Sequence, residues 1–179
     1  MKFKKVRMLM DWEHFDINKH HGAYDLFIID VAKRKLGDML EYAVNGCNLD
    51  IDEYFELFAN SNIGIGFGNR ETKYIYGRSA CELVHDVYFE LFMKEIPRGR
   101  QIFDYEKGAE HWTGWSLAQY QWYSCRPFFD ILRDCKISDI RDMYYPYHEM
   151  DITKFIDKME KLHKKELINR GNLCCTMVL

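Results

Sequence analysis

The sequence predicts a mainly α protein: a single helical domain of six or seven helices with a short N-terminal extension that forms a strand. Three observations carry this. Apolar residues recur at three- and four-residue spacing through several long stretches, N-cap signatures stand ahead of them, and prolines (3) and glycines (11) are sparse among 179 residues. A chain of this length buries roughly two-thirds of its unfolded surface, and an aromatic share of 16% supplies bulk for one core. The expected organisation is an N-terminal extension over 1–24, the helical domain over 25–170 and a loosely held tail over 171–179.

The extension opens with "KFKKVRMLM", read as a strand. From Asp25, helical spacing of Ile28, Val31, Ala32, Leu36, Met39, Leu40 and Ala43 predicts a long helix that Gly46 ends. Asp50, with Glu53 three residues on, caps a helix that buries Ile51, Phe55 and Phe58. "SNIGIGFGNRETKYIYG" has alternating glycines but no strand before them or helix start after them, so it reads as a flexible turn and not a phosphate loop. A short extended piece, Lys73 to Tyr76, is expected to follow it. Ser79 and Glu82 form a second capping box, with Cys81, Val84, Val87, Tyr88, Leu91 and Phe92 as the buried stripe. An aromatic helix from about Glu106 to Tyr123 follows, then a short helix opened by Pro127. Ser138 is expected to cap "DIRDMYY", which Pro146 ends. Asp151 opens the last helix, with Ile152, Phe155, Ile156, Met159 and Leu162 on its inner face.

Net charge is −3, which excludes a molecule that binds nucleic acid by its overall field and confines any such role to a local basic patch. Six cysteines, at 47, 81, 125, 135, 174 and 175, form no CxxC pair and read as reduced cytosolic thiols. No stretch approaches the roughly 20 apolar residues that span a bilayer, so the expected location is the cytoplasm, with no membrane partner.

Chemistry concentrates in "DWEHFDINKHH". Asp11, Glu13, His14 and Asp16 are the candidate catalytic residues, with groups able to move protons in phosphodiester cleavage. A divalent metal is the cofactor such a cluster would take, with His20 and His21 as further ligands; on a helix Asp16 and His20 share a face. The plainer reading is an exposed acidic leader anchored by Trp12 and Phe15. Lys2, Lys4, Lys5 and Arg7 form a basic strand beside it, suited to an RNA backbone or simply to solubility. In the last helix Lys154, Lys158, Lys161 and Lys165, with Lys164 and Arg170, line the face opposite the apolar one. That stripe fits phosphates, an acidic protein or plain solvation; Lys158, Lys161 and Lys165 are its candidate contacts. Trp112, Trp115, Trp122 and Tyr123 are suited to stacking bases, but Trp115 and Trp122 flank Ala118 on one face, as in a core helix, with Gly114 admitting a close neighbour. His148 and Glu149 are expected to pin the last helix.

The stretch "EHWTGWSLAQYQWYSCRPFFDI" resembles a group of small proteins from Firmicutes genomes and their mobile elements, whose body carries a "YW-x-GW-x-LA-x-YQWY" helix and then an "LYP-x-x-HE" turn. Trp112, Gly114, Trp115, Leu117, Ala118, Tyr120, Gln121, Trp122 and Tyr123 carry the first motif, and Tyr145, Pro146, His148 and Glu149 the second. The resemblance covers roughly residues 30–162. Many of those relatives continue into a Cro/CI-type helix-turn-helix, which implies a DNA-linked regulatory or antitoxin-like role; the 179 residues hold no such module and carry an N-terminal addition instead. In size, composition and solitary-domain layout the chain is also similar to anti-CRISPR inhibitors. Together these imply a phage or mobile-element accessory protein that antagonises host defence, in its sharpest form an anti-CRISPR acting on Cas9 or its guide RNA, with an endoribonuclease-type activity at the N-terminal cluster. The alternative is a non-enzymatic antitoxin-like or regulatory module that binds a protein such as a toxin.

Overall fold

Two helices meet backbone to backbone at the centre of the molecule. The computed structural model describes residues 22–23, 26–100 and 107–176. α1 (Leu26–Glu41) and α6 (Ala109–Ser124) run antiparallel, as shown by Lys33 over the Trp115 ring at one level and the Glu41 carboxylate on the His111 N–H at another. Gly114 permits the approach: a Cβ there would lie 2.3 Å from the Leu36 carbonyl oxygen. Ala32, Leu36, Met39 and Leu40 of α1 and Leu117 and Ala118 of α6 are fully buried along this seam. The expected long helix and aromatic core helix are both present. A π-helical turn, Tyr42–Gly46, follows α1 and is closed by the Cys47 N–H on the Tyr42 carbonyl at 2.8 Å.

The architecture is mainly α, with ten α-helices among the described residues, six of them seven residues or longer. α2 (Ile51–Asn60) starts on the Asp50 carboxylate, which accepts from the N–H groups of Asp52 and Glu53. Its Phe55 and Phe58 rings meet Phe128 and Phe67 at centroid distances of 5.5–5.9 Å. The glycine stretch corrects the expectation of a flexible turn and an extended piece. Ser61 caps α3 (Asn62–Gly68) by accepting from the Gly64 N–H, and α4 (Thr72–Ile75) is helical where Lys73 to Tyr76 were expected to be extended. Packing overrides the poor intrinsic propensity of glycine here: Ile63, Gly64, Gly66 and Phe67 are buried, and a Cβ on Gly64 would overlap the Phe58 carbonyl.

α5 (Ala80–Phe92) carries the expected Ser79–Glu82 capping box. Its buried residues are Leu83, Val84 and Val87; Cys81, Leu91 and Phe92, expected inside, are exposed, so only the first two turns face the core. α7 (Phe128–Ile131) follows Pro127 as expected. Ser138 does not cap α8 (Ile137–Asp142); it lies inside the helix and gives both its N–H and hydroxyl to Asp52, at 2.8 and 2.7 Å, tying α8 to α2. Pro146 does not end a helix either. It sits in the first turn of α9 (Tyr144–Tyr147), where a missing N–H leaves no bond unmade. Asp151 accepts from the Thr153 N–H and hydroxyl before α10 (Ile152–Thr176), and this helix runs on through six residues of the stretch expected as a tail.

Candidate functional site

Asp11, Glu13, His14, Asp16, His20 and His21, with Lys2, Lys4, Lys5 and Arg7 and the expected N-terminal strand, lie outside the described residues. The chain enters the described body at Gly22 and Ala23, where the Ala23 N–H donates to the Trp122 carbonyl at 2.8 Å. Among the described residues no group of three or more His, Cys, Asp or Glu side chains is arranged to hold a metal ion.

The other predicted candidates, Lys158, Lys161 and Lys165, stand on α10. Phe155, Ile156 and Met159 are buried against the body, so residues half a turn away face solvent. Lys154, Lys161, Lys164 and Lys165 are exposed and Lys158 half-exposed. None of the five has a carboxylate of a described residue within 4 Å. Two acids of the same helix are engaged elsewhere: Glu160 accepts from the Tyr120 hydroxyl at 3.0 Å and Glu166 holds Arg170 at 2.9 Å. Arg170 also donates to the Arg133 carbonyl, so it is a tether and not a free member of the stripe. From Lys154 to Lys165 the stripe spans about 16 Å at the α-helical rise.

What fixes this stripe in space is a clasp that the sequence reading missed. Cys125 takes a left-handed conformation (φ 53°) and reverses the chain after α6. The Arg126 guanidinium then bonds Asp130 Oδ2 at 2.9 Å, Asp134 Oδ2 at 2.5 Å and the Asp130 carbonyl at 2.7 Å. His163 of α10 places Nδ1 3.1 Å from the same Asp134 carboxylate, whose side chain is only 2% exposed. Because a carboxylate only accepts, Nδ1 carries the proton. Burial acts to lower the Arg126 pKa, but its bonds to Asp134 and Asp130 outweigh this and raise it. Burial likewise acts to raise Asp130, and the Arg126 bond and charge outweigh it and lower the carboxyl. Chiefly through burial, with the Glu160 and Asp157 charges adding to it, the Tyr123 hydroxyl is pushed up to about 12.

The aromatic helix packs as a core element. Trp122 is 1% exposed, and Trp112 meets Phe155 and Tyr144 edge-on at 5.3 and 5.9 Å. His148 pins α9, with Nδ1 2.9 Å from the Tyr144 carbonyl, and not α10 as expected; Glu149 is 86% exposed. A cleft of about 650 Å³ opens between the π turn, α5 and residues 95–99. At its floor the Tyr42 hydroxyl accepts the Gly99 N–H at 2.9 Å and lies 3.2 Å from His85 Nε2. No helix among the described residues is long and apolar enough to cross a membrane. Comparison with protein-family models, with curated proteins and with solved structures gives no match.

Proposed function

We propose that this chain is a phage or mobile-element accessory protein that antagonises host defence, most concretely an anti-CRISPR inhibitor of Cas9 acting on the nuclease or its guide RNA. The observation that carries it is the lysine stripe of α10: five ammonium groups on one helix, without ion-pair partners among the described residues and held in place by the Arg126 clasp. Closely spaced positive charge suits a phosphate backbone, and the net charge of −3 confines that attraction to local basic patches such as this one and the Lys2, Lys4, Lys5 and Arg7 group. The resemblance of residues 30–162 to mobile-element proteins supports the biological setting. Guide-RNA cleavage belongs to the same proposal, with Asp11, Glu13, His14 and Asp16 as its groups, a divalent metal as cofactor and the cytoplasm as its place.

The test is incubation of the full chain with Cas9 and guide RNA, reading RNA length, RNA co-elution and DNA cleavage. Wild-type chain is expected to bind guide RNA with an affinity that falls steeply with salt. The triple variant Lys158→Glu, Lys161→Glu, Lys165→Glu is expected to bind more than tenfold more weakly with a flatter salt slope. No effect of the wild-type chain on any readout sinks the proposal, and unchanged RNA products from an Asp11, Glu13, His14, Asp16 alanine variant sink its enzymatic form. A second reading, an antitoxin-like or regulatory module that binds a protein such as a toxin, draws on the exposed apolar end of α5, where Phe89, Leu91, Phe92 and Met93 stand in water.

A further inference from the structure

A second cavity, of about 590 Å³, lies where α3, the end of α6 and α7 come together. Its lining is uncharged: among the described residues no Asp, Glu, Lys, Arg or His belongs to it, in a chain of which 30% is charged. Phe128 and Phe129 supply aromatic walls, and Asn69 adds an exposed amide. An apolar cavity of this size with a few polar groups is the ordinary form of a small-molecule site. Gln121, 3% exposed, forms part of the wall. Its Nε2 donates to the Gly68 carbonyl at 3.3 Å, while its Oε1 is buried without a hydrogen-bond partner. A buried oxygen without a donor is rare and costly, so this one calls for a donor that the described residues do not provide. The terminal amide torsion of glutamine is soft, and a small tilt turns Oε1 towards an occupant of the cavity. Gly68 keeps the space open. A Cβ there would stand 3.6 Å from Gln121 Nε2 and 3.8 Å from the Phe128 ring, in ordinary contact with both and overlapping neither.

We propose that this cavity binds a small, neutral, flat aromatic heterocycle whose ring N–H donates to Gln121 Oε1, the chemistry shared by indole and the free nucleobases. Each requirement follows from one observation. The uncharged lining penalises a charged ligand, which would give up its hydration without a counter-charge. A flat aromatic body packs edge-on or offset against the Phe128 and Phe129 rings. An orphaned acceptor selects a donor and rejects an analogue that lacks one, because the oxygen then stays unpaired. The site is independent of the RNA reading, since none of the α10 lysines lines the cavity.

Isothermal titration of the full chain with indole, 1-methylindole and adenine tests it. Indole is expected to bind, and 1-methylindole, which keeps the ring body but has no N–H, is expected to bind about tenfold more weakly, as the loss of one buried hydrogen bond implies. Adenine separates the two sources: tighter adenine assigns the site to a nucleobase, and tighter indole to an indole. Gln121→Met keeps the volume and removes the acceptor, and is expected to bind indole and 1-methylindole alike. Gly68→Val fills the cavity from a position where its Cβ meets no clash, and is expected to lose binding while keeping the wild-type circular dichroism and melting transition. Failure of both indole and adenine to bind overturns the proposal. Equal affinity of the wild-type chain for indole and 1-methylindole overturns the role of Gln121. Undiminished binding by a folded Gly68→Val chain overturns the placement of the ligand in this cavity.

Discussion

α1 and α10 are both long helices laid on α6, yet the centre of each attachment is built differently. The centre of the α1 seam is dry: Leu36, Met39, Leu40 and Leu117 are fully buried, and Gly114 brings backbone onto backbone. The mooring of α10 has an apolar part, Phe155, Ile156 and Met159, but its outer half is polar: His163 hydrogen-bonds Asp134, which belongs to a charged set with Arg126 and Asp130. The dry centre of the seam tolerates no added volume, while at its edge Asp38 of α1 pairs with Lys107 and lies 3.4 Å from His111 of α6. An ionic clasp tolerates volume but fails when one charge is removed, since the rest are left buried and unpaired. The difference matters because the lysine stripe rides on the helix moored through the clasp.

The largest expected effect breaks the dry side. Gly114→Leu drives a side chain into the Leu36 carbonyl, and overpacking of this kind costs about 3 kcal/mol or more. Loss of a cooperative thermal transition is expected; a melt within a few degrees of wild type would show that the seam yields.

Next comes the clasp. Arg126→Ala leaves the Asp134 carboxylate, 2% exposed, without its cation, and removal of one partner of such a pair costs about 3 kcal/mol. Urea unfolding measures this, and amide exchange in α10 is expected to rise more than in α1. Equal rises in both helices would mean that the two attachments form one cooperative unit.

The smallest effect is acid sensitivity. The folded pKa of Asp130 is depressed below the roughly 3.9 of an unfolded aspartate. Its contribution is therefore fully present above about pH 4 and is lost as pH falls through the folded pKa. Melting temperature is expected to fall from pH 5 towards pH 2, and to fall less steeply in Arg126→Ala, where the main cause of the depression is removed. Identical slopes in the two proteins would count against the clasp as its source.

These two attachments also differ in how far they were legible in the sequence. The seam could be read because Ala32, Leu36, Met39 and Leu40 keep one helical period and Gly114 interrupts an otherwise bulky face. The lysine positions were legible for the same reason. The clasp was not: Arg126, Asp130 and Asp134 follow a four-residue spacing, but Pro127 and a left-handed Cys125 break the frame, so periodicity carries no information there. α3 was misread because glycine propensity argues against a helix, while the Ser61 cap and burial against Phe58 decide for one. The outer end of α5 was misread because apolar spacing alone does not say whether a neighbour is present to cover it. Of the candidate site, the lysine stripe is in view on α10, and the acid and histidine cluster lies outside the described residues.

The π-helical turn at Tyr42–Gly46 works as a phase shifter. Closing one ring over five residues instead of four inserts a surplus residue into the frame of α1, and one residue is worth about 100° of helical rotation. Met39 and Leu40 can thus keep their facing towards α6 while the Tyr42 hydroxyl reaches Gly99 and His85. Deleting a single residue from the turn would restore regular winding and swing the segment that follows out of step with the wall of the cleft.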